Sequence, residues 1–194
     1  MLAIQGDFAA HARVLRRLGV DAVEVRRAAG LNAVQALIIP GGESTTILKF
    51  IEEEELAGPI IAFARKGRPI LGTCAGAILL AREVYNPAQA SLGLIDIEVE
   101  RNGYGRQVDS FIANVETVAG GPLEAVFIRA PKIKKVGPAV EVLATLDDQP
   151  VLVRESNVLA VTFHPELTED DRIHRLLVQM FLSGAEAHFT RTTL

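Results

Sequence analysis

Cys74 is the residue of this sequence whose type and setting best suit covalent chemistry. It is the only cysteine of the chain and lies within residues 72–76 (Gly-Thr-Cys-Ala-Gly), directly after the apolar run at 69–71. A nucleophile framed by small residues between a strand and a helix is typical of a nucleophile elbow, whose turn is sharp and crowded. A helix N-terminus and a nearby imidazole would favour its thiolate. The alternative interpretation is a buried core cysteine without chemistry.

A base and an acid for this nucleophile follow much later in the chain. His164 and Glu166 flank Pro165 after the apolar segment 158–163. Proline keeps the preceding residue extended, so both side chains are predicted to project to one side at the end of a strand. Glu166 could then hold one ring nitrogen of His164 while the other faces Cys74, as in a catalytic triad. The alternative is a structural histidine beside a solvated carboxylate.

The other histidines of the chain lack such a Pro-Glu neighbour. His11 and His174 fall within predicted helices, and His188 lies near the C-terminal end. All three are interpreted as structural or surface residues.

A third block, Pro-Gly-Gly-Glu-Ser-Thr at residues 40–45, ends another buried apolar run. Its backbone amides could approach a substrate and supply an oxyanion-hole donor. A phosphate-binding loop is a weaker interpretation, because the Walker spacing and its lysine are absent. A simple turn into a helix is the remaining alternative.

The elements around these blocks alternate between strand-like and helix-like segments. This pattern predicts an α/β fold with three layers, in which a mostly parallel sheet is flanked by helices. Residues 20–25 are predicted to form a short strand, and the Val- and Ile-rich stretch 95–159 to add partly antiparallel strands. In such sheets ligands bind at the carboxyl ends of the strands, where Cys74 and His164 are both expected.

The chain is predicted to form a single domain, residues 1–194. It has no internal repeat, low-complexity segment or long linker, and its length is ample for one α/β core. The final helix is predicted to be capped by Thr168 and to end at Gly184.

The composition limits the classes of partner and the compartment. The net charge of −4 gives no electrostatic argument for nucleic acid or an anionic membrane. No apolar stretch approaches the roughly 20 residues of a membrane helix, and the start has no secretion signal. The lone thiol favours a reducing cytoplasm. No motif indicates a cofactor or a metal ion.

Taken together, these blocks resemble the class I glutamine amidotransferases, the triad glutaminases, whose fold is flavodoxin-like. Within that group they are most similar to the family of glutaminase subunits of pyridoxal 5′-phosphate synthase. The more specific similarity is in residues 100–111 (Glu-Arg-Asn-Gly-Tyr-Gly-Arg-Gln-Val-Asp-Ser-Phe) and residues 127–131 (Phe-Ile-Arg-Ala-Pro). One departure is visible, since only residues 1–4 precede the Gln-Gly-Asp-Phe segment: either the first strand is short or the start site is misassigned.

The resemblance implies hydrolysis of L-glutamine to L-glutamate and ammonia. Cys74 would attack the γ-carboxamide, and His164, held by Glu166, would protonate the leaving ammonia. The amides of Gly42 and Ala75 would form the oxyanion hole. The implied substrate-binding residues are Gly42, Glu43, Ser44, Arg101, Ile128 and Arg129. Either arginine could instead form an ordinary surface ion pair.

The resemblance also implies a partner that receives the ammonia. This is the synthase subunit, which builds the vitamin B6 cofactor within a hetero-oligomeric complex. The glutaminase is expected to be weakly active until docking orders its oxyanion loop.

Two other functions remain open from the residues alone. The chain could serve another amidotransferase, such as imidazole glycerol phosphate synthase, although the block at 100–111 argues against this. It could also be a non-enzymatic α/β binding or redox-sensing protein, in which case its thiol would not react with a glutamine-like electrophile.

Overall fold

The structure, a computed structural model, describes residues 1–104, 110–118 and 120–191, with side chains described up to residue 183. Residues 105–109 of the motif at 100–111 therefore lie outside the described residues, as does the side chain of His188.

Helices and strands alternate through the first half of the chain, and strands dominate the second half. The helices are α1 (Phe8–Arg17), α2 (Ser44–Glu53), α3 (Ala57–Arg65), α4 (Ala75–Leu80) and α5 (Arg172–Arg191). The strands are β1 (Leu37–Ile39), β2 (Ile70–Thr73), β3 (Ala81–Tyr85), β4 (Ile95–Glu100), β5 (Ser110–Thr117), β6 (Leu123–Ile128), β7 (Lys132–Val136), β8 (Glu141–Leu146), β9 (Gln149–Glu155) and β10 (Val158–Val161). Short 3₁₀ turns occur at Ala28–Ala33 and Pro165–Leu167.

The main sheet has seven strands in the order β1-β2-β10-β9-β8-β5-β6, and β3-β4-β7 form a smaller sheet. β1, β2 and β10 pair in parallel. The strands from β9 to β6 are joined by antiparallel pairings. The predicted α/β class is confirmed. The parallel strands lie where the candidate site is expected, and the stretch 95–159 supplies antiparallel strands, as predicted.

Two hydrophobic cores cover the two faces of the main sheet, so the fold has three layers. Alternate residues of β2 divide between them, with Ile70 in one core and Leu71 in the other. The Ile70 side is covered by α2, α3, α4 and the smaller sheet, and the Leu71 side by α1 and α5. Strands buried on both faces must be apolar throughout, which explains the continuous hydrophobic runs in the sequence.

The N-terminal residues extend the parallel part of the sheet only briefly. Leu2 donates to the carbonyl of Ile38 at 2.8 Å, and Val25 donates to that of Met1 at 2.7 Å. The predicted strand at 20–25 is therefore wrong in length: it is reduced to one parallel bridge between Leu2 and Val25. The pairing goes no further because the chain bends at residues 4–7 to enter α1.

The predicted bounds of the final helix are also wrong. α5 begins at Arg172, whose amide donates to Asp170 Oδ1 at 3.0 Å, while Thr168 is extended after the 3₁₀ turn. The helix continues through Gly184 to Arg191. A glycine inside a helix costs only about 1 kcal/mol, which does not by itself end a helix. None of the described helices combines the length and the apolar character needed to cross a bilayer.

Candidate active site

Cys74 lies in a strained turn between β2 and α4. Its φ of 49° and ψ of −104° are unfavourable for a residue with a Cβ. The turn is tight because α4 packs directly on β1: a Cβ at Gly76 would lie 2.0 Å from the carbonyl oxygen of Ile39. The glycine is thus required for this close approach, and the geometry is that of the nucleophile elbow predicted from the sequence.

His164 reaches the same edge of the sheet from the neighbouring strand. β10 pairs with β2 in parallel, with Val161 opposite Thr73, so the residues that follow both strands emerge together. On one side the His164 side chain lies beside Cys74, which raises the pKa of the imidazole, and both residues line the same cavity. On the other side its Nδ1–H donates to Glu166 Oε1 at 2.7 Å. The structure therefore brings together the cysteine, the imidazole and the carboxylate in the order a triad needs.

This arrangement favours a charged imidazole. Burial lowers the pKa of His164, but the interactions of the imidazole with Cys74 and Glu166 outweigh burial and raise that pKa to about 10. Only 12% of the His164 side chain and 1% of the Glu166 side chain are exposed, so water screens these charges little. A thiolate beside an imidazolium is the activated form of a cysteine nucleophile.

The contact between His164 and Glu166 is made by a turn and not by an extended chain. His164 has φ −107° and ψ 88°, as expected before proline, but Pro165–Leu167 form a 3₁₀ turn. The prediction that both side chains project from one extended strand is wrong in this respect. Proline is well suited to the first position of a helical turn, and the turn folds Glu166 inward behind the imidazole.

The loop after β1 packs against the triad. A Cβ at Gly41 would lie 2.5 Å from Cε1 of His164 and 3.3 Å from Cβ of Cys74. The Gly41 amide donates to Thr73 Oγ1 at 3.0 Å, and the Glu43 amide donates to Gln5 Oε1 at 2.9 Å. The loop is thus held at one end by β2 and at the other by the N-terminal segment.

A cavity of about 300 Å³ opens over Cys74. Its lining residues are Gln5, Gly42, Glu43, Ser44, Cys74, Ala75, Ile78, Arg101, Asn102, Ile128, Arg129 and His164. Every site residue expected from the sequence is among them except Glu166, which lies behind His164. Sequence reasoning missed Gln5, Ile78 and Asn102. Asn102 belongs to a motif already noted, whereas only the folded chain brings Gln5 and Ile78 to the cavity.

A larger and mostly apolar cavity, of about 520 Å³, lies elsewhere between α1, α5 and the start of β1. Its lining includes Leu15, Val20 and Leu177 but contributes no cysteine, histidine or arginine from the described residues. The described residues therefore offer a ligand there no thiol, imidazole or guanidinium.

Polar side chains at the cavity rim are already oriented by neighbours. Glu43 caps α2 by accepting from the amides of Thr45 and Thr46. Although slight burial would raise its pKa, hydrogen bonds from the hydroxyls of Thr45 and Thr46, together with those from the two amides, lower the pKa of Glu43 to about 2. The same carboxylate lies 3.3 Å from Nη2 of Arg101, so the guanidinium is held at the cavity.

The remaining expected residues are placed as follows. The Ser44 hydroxyl donates to Gln89 Oε1 at 2.8 Å. The Ile128 carbonyl accepts from the Cys74 thiol, with Sγ and O 3.8 Å apart. Arg129 follows with φ 42°, an unusual value for a residue with a side chain. Within the described ranges, no three His, Cys, Asp or Glu side chains are grouped as metal ligands.

Comparison with known proteins identifies relatives over nearly the whole chain. The model of the SNO glutamine amidotransferase family matches residues 1–183. Pyridoxal 5'-phosphate synthase subunit PdxT of Koribacter versatilis is 52% identical over 188 residues, which is 95% of this chain and 95% of that protein. The protein of the same name from Thermotoga maritima is 48% identical over 182 residues, covering 93% of this chain and 97% of that one.

Solved structures agree with the fold. A crystal structure of a glutamine amidotransferase superposes with a TM-score of 0.88 at 49% identity, covering 93% of this chain and 96% of that chain. PurLQS from Thermotoga maritima superposes with a TM-score of 0.70 at 16% identity, which supports the fold alone.

Proposed function

The chain belongs to the SNO glutamine amidotransferase family, and from this membership we propose that it hydrolyses L-glutamine as the glutaminase subunit of pyridoxal 5′-phosphate synthase. The observation that carries the proposal is the His164 imidazole held between Cys74 and Glu166 at the cavity. The names of the relatives favour this synthase over that of imidazole glycerol phosphate, and the triad geometry favours an enzyme over a binding protein.

The first half of the reaction forms a thioester. The Cys74 thiolate attacks the γ-carbonyl carbon of glutamine, and the amides of Gly42 and Ala75 stabilise the oxyanion. When the intermediate collapses, the C–N bond breaks and the His164 imidazolium gives its proton to the leaving nitrogen, which departs as ammonia.

The second half regenerates the enzyme. Neutral His164 takes a proton from water as that water attacks the thioester carbonyl, and glutamate leaves while the C–S bond breaks. Glu166 keeps the imidazole oriented and stabilises its charged form throughout. The thiolate and imidazolium are then restored.

Arg101 and Arg129 are proposed to bind the α-carboxylate of glutamine. Both line the cavity beside Cys74, and a guanidinium can bind both oxygens of a carboxylate. Glu43, capping α2, holds Arg101 in place. Ser44 and Ile128 are proposed to complete the substrate site.

The ammonia is proposed to pass directly to the synthase subunit in a hetero-oligomeric complex, because free ammonia would be protonated or lost in water. Residues 1–194 are proposed to form one glutaminase domain. A reducing, cytoplasmic setting is proposed because the reaction needs Cys74 as a free thiol.

The nucleophile assignment is tested by a glutaminase assay on the complex with purified synthase. Cys74→Ala is expected to abolish glutamate release while still forming the complex, because no other thiol is present. Cys74→Ser is the matched control: it keeps the shape and a hydroxyl but should also lose activity, showing that the sulfur is needed. Persistent glutamate release by Cys74→Ala would refute the assignment.

A further inference from the structure

Two buried histidines form a pair directly behind the candidate triad. His11 of α1 and His174 of α5 are both fully buried. His11 Nδ1 and His174 Nε2 are 2.8 Å apart, and the two rings are tilted by 50°. Neither ring lines the cavity, and neither has a role in the mechanism described above.

The other nitrogen of His11 faces the acid of the triad. Its Nε2 lies 3.4 Å from Oε2 of Glu166 and 3.3 Å from Oγ1 of Thr73. Since Oε1 of Glu166 accepts from His164, the carboxylate lies between two imidazoles. Thr73 in turn accepts from the Gly41 amide, so the same anchor reaches the loop beside Cys74.

The positions of the protons in this pair follow from their partners. His174 Nδ1 is buried and has no hydrogen-bond partner among the described residues. A bare lone pair is tolerated there better than an unpaired N–H, so the proton of His174 belongs on Nε2, which donates to His11 Nδ1. The proton of His11 is then on Nε2, the nitrogen that hydrogen-bonds with Thr73 Oγ1 and lies 3.4 Å from Glu166 Oε2.

Both imidazoles remain uncharged. Burial holds the pKa of His11 well below its usual value, and the neighbouring His174, His164 and N-terminal amine lower it further. Glu166 is the anionic group that faces His11, through Oε2. His11 therefore places an N–H beside the carboxylate, 3.4 Å from Oε2, without neutralising the charge that holds the His164 imidazolium.

His174 is kept neutral by the same means. Burial lowers the pKa of His174 to about 4; the charge of Asp171 raises it slightly, and that of Arg17 lowers it. It can act as a donor to His11 but does not carry a competing positive charge at neutral pH.

We propose that His11, oriented by His174, is a positioning residue of the triad. It holds Oε2 of Glu166 so that Oε1 stays aimed at His164 Nδ1, and through Thr73 it fixes the Gly41 loop to the same point. The carboxylate belongs to a 3₁₀ turn of three residues, and its buried Oε2 has no hydrogen bond among the described residues, so the polar contact that we assign to it is His11 Nε2 at 3.4 Å. This proposal rests on the proposed function, because the triad is its object.

The test compares two substitutions of equal length. His11→Met fills the space without a donor, whereas His11→Gln retains an N–H. Without this N–H beside it, the carboxylate of Glu166 is held less firmly in place, and His164 then loses part of the contact that raises its pKa. The rate of Cys74 alkylation by iodoacetamide, measured on the full chain against pH, reports the thiolate–imidazolium pair directly and does not depend on glutamine hydrolysis.

In His11→Met we expect the acid limb of this profile to move to higher pH by about half a unit or more, and in His11→Gln to return toward the wild-type position. In the complex with synthase, kcat of His11→Met is expected to fall about tenfold, since part of the acid–base catalysis is lost, with KM little changed. A His11→Met profile that superimposes on the wild type would overturn the proposal, even if the variant were less stable.

Two further variants separate positioning from packing. Leu15→Ala removes a buried side chain of α1 from the same core and should lower stability without moving the acid limb. If His11→Met does not fold, His174→Met decides the question, because it leaves His11 in place but removes the donor that sets its proton. A shift of the acid limb to higher pH in His174→Met supports the proposal, and an unchanged acid limb contradicts it. A shift of the acid limb of the alkylation profile in a protein that shows no glutaminase activity would refute the proposed function but not the positioning role of His11.

Discussion

Gly41 determines how closely the loop after β1 can approach the triad. Its main chain lies against both His164 and Cys74, where a Cβ would come within 2.5 Å of the imidazole carbon Cε1. The atoms that must give way belong to a ring held on both sides, by Cys74 and by Glu166. The reactivity of Cys74 and His164 thus depends on the absence of one methyl group at residue 41.

Gly41→Ala is expected to displace the His164 ring and lower kcat for glutamine hydrolysis by about 100-fold, because a shift near 1 Å in a catalytic group has effects of that size. The measurement is steady-state kinetics of the complex with synthase. Gly58→Ala in α3 is the control, since a Cβ there meets nothing within 4 Å. Its activity should be unchanged and its stability slightly raised. Wild-type kcat in Gly41→Ala would contradict the packing described here.

The start of α2 shows how one element is built to carry part of the site. Glu43 caps the helix through the amides of Thr45 and Thr46 and also contacts Arg101 at the cavity. Nearly half of the Glu43 side chain, 48%, is exposed, so the ion pair with Arg101 adds little stability by itself. Its main effect on stability is therefore expected to come from the cap.

Glu43→Gln is expected to lower the free energy of unfolding by about 1 kcal/mol at pH 7, because the charged cap is lost. The folded-state pKa of about 2 lies below the reference value of 4.5. The stabilisation is therefore present above pH 4.5 and is lost as the pH falls toward 2. Urea denaturation at several pH values measures the difference between wild type and variant.

Glu52→Gln, on the exposed face of the same helix, is the matched control and should show no such pH-dependent difference. A Glu43→Gln effect that stays constant from pH 7 to pH 3 would show that the cap does not depend on the charge.

At the scale of the whole molecule, the parallel strands place the site at one edge of a rigid sheet. Core residues pack on both faces of β2 and β10, so the elbow and the histidine after β10 have little freedom to separate. The cavity over Cys74 is open to the surface and is lined by residues from the loops at this edge. A partner that covers it could receive ammonia before water does.

Direct transfer of ammonia to the synthase subunit predicts that the amide nitrogen of glutamine enters the product. When the complex is supplied with amide-¹⁵N glutamine and excess unlabelled ammonium, the pyridoxal 5′-phosphate formed should carry the label, because the released ammonia does not mix with the solvent pool. Mass spectrometry of the product measures this. The Cys74→Ala complex should instead incorporate only external ammonium. Product labelled no more than the bulk ammonium would exclude direct transfer.

Local chemistry alone predicted the elements nearest the site. The small residues around Cys74 predicted the elbow, and the apolar runs before residues 40, 74 and 164 predicted the buried strands that align them. These patterns can be recognised in a sequence because a strand covered on both faces must consist of apolar residues and a tight turn needs small residues. Local signals failed at the bounds of the final helix and at the turn after Pro165, where contacts with the rest of the fold set the conformation.

By itself, then, the sequence determined which groups could react and at which edge of a sheet they would meet. The tertiary structure alone decided which residues support them. Gln5 reaches the loop at Glu43, and His11, paired with His174, lies against the acid of the triad. These contacts join residues far apart in the chain and from different helices, and their partners are selected by packing, which leaves no periodic or local pattern in the sequence.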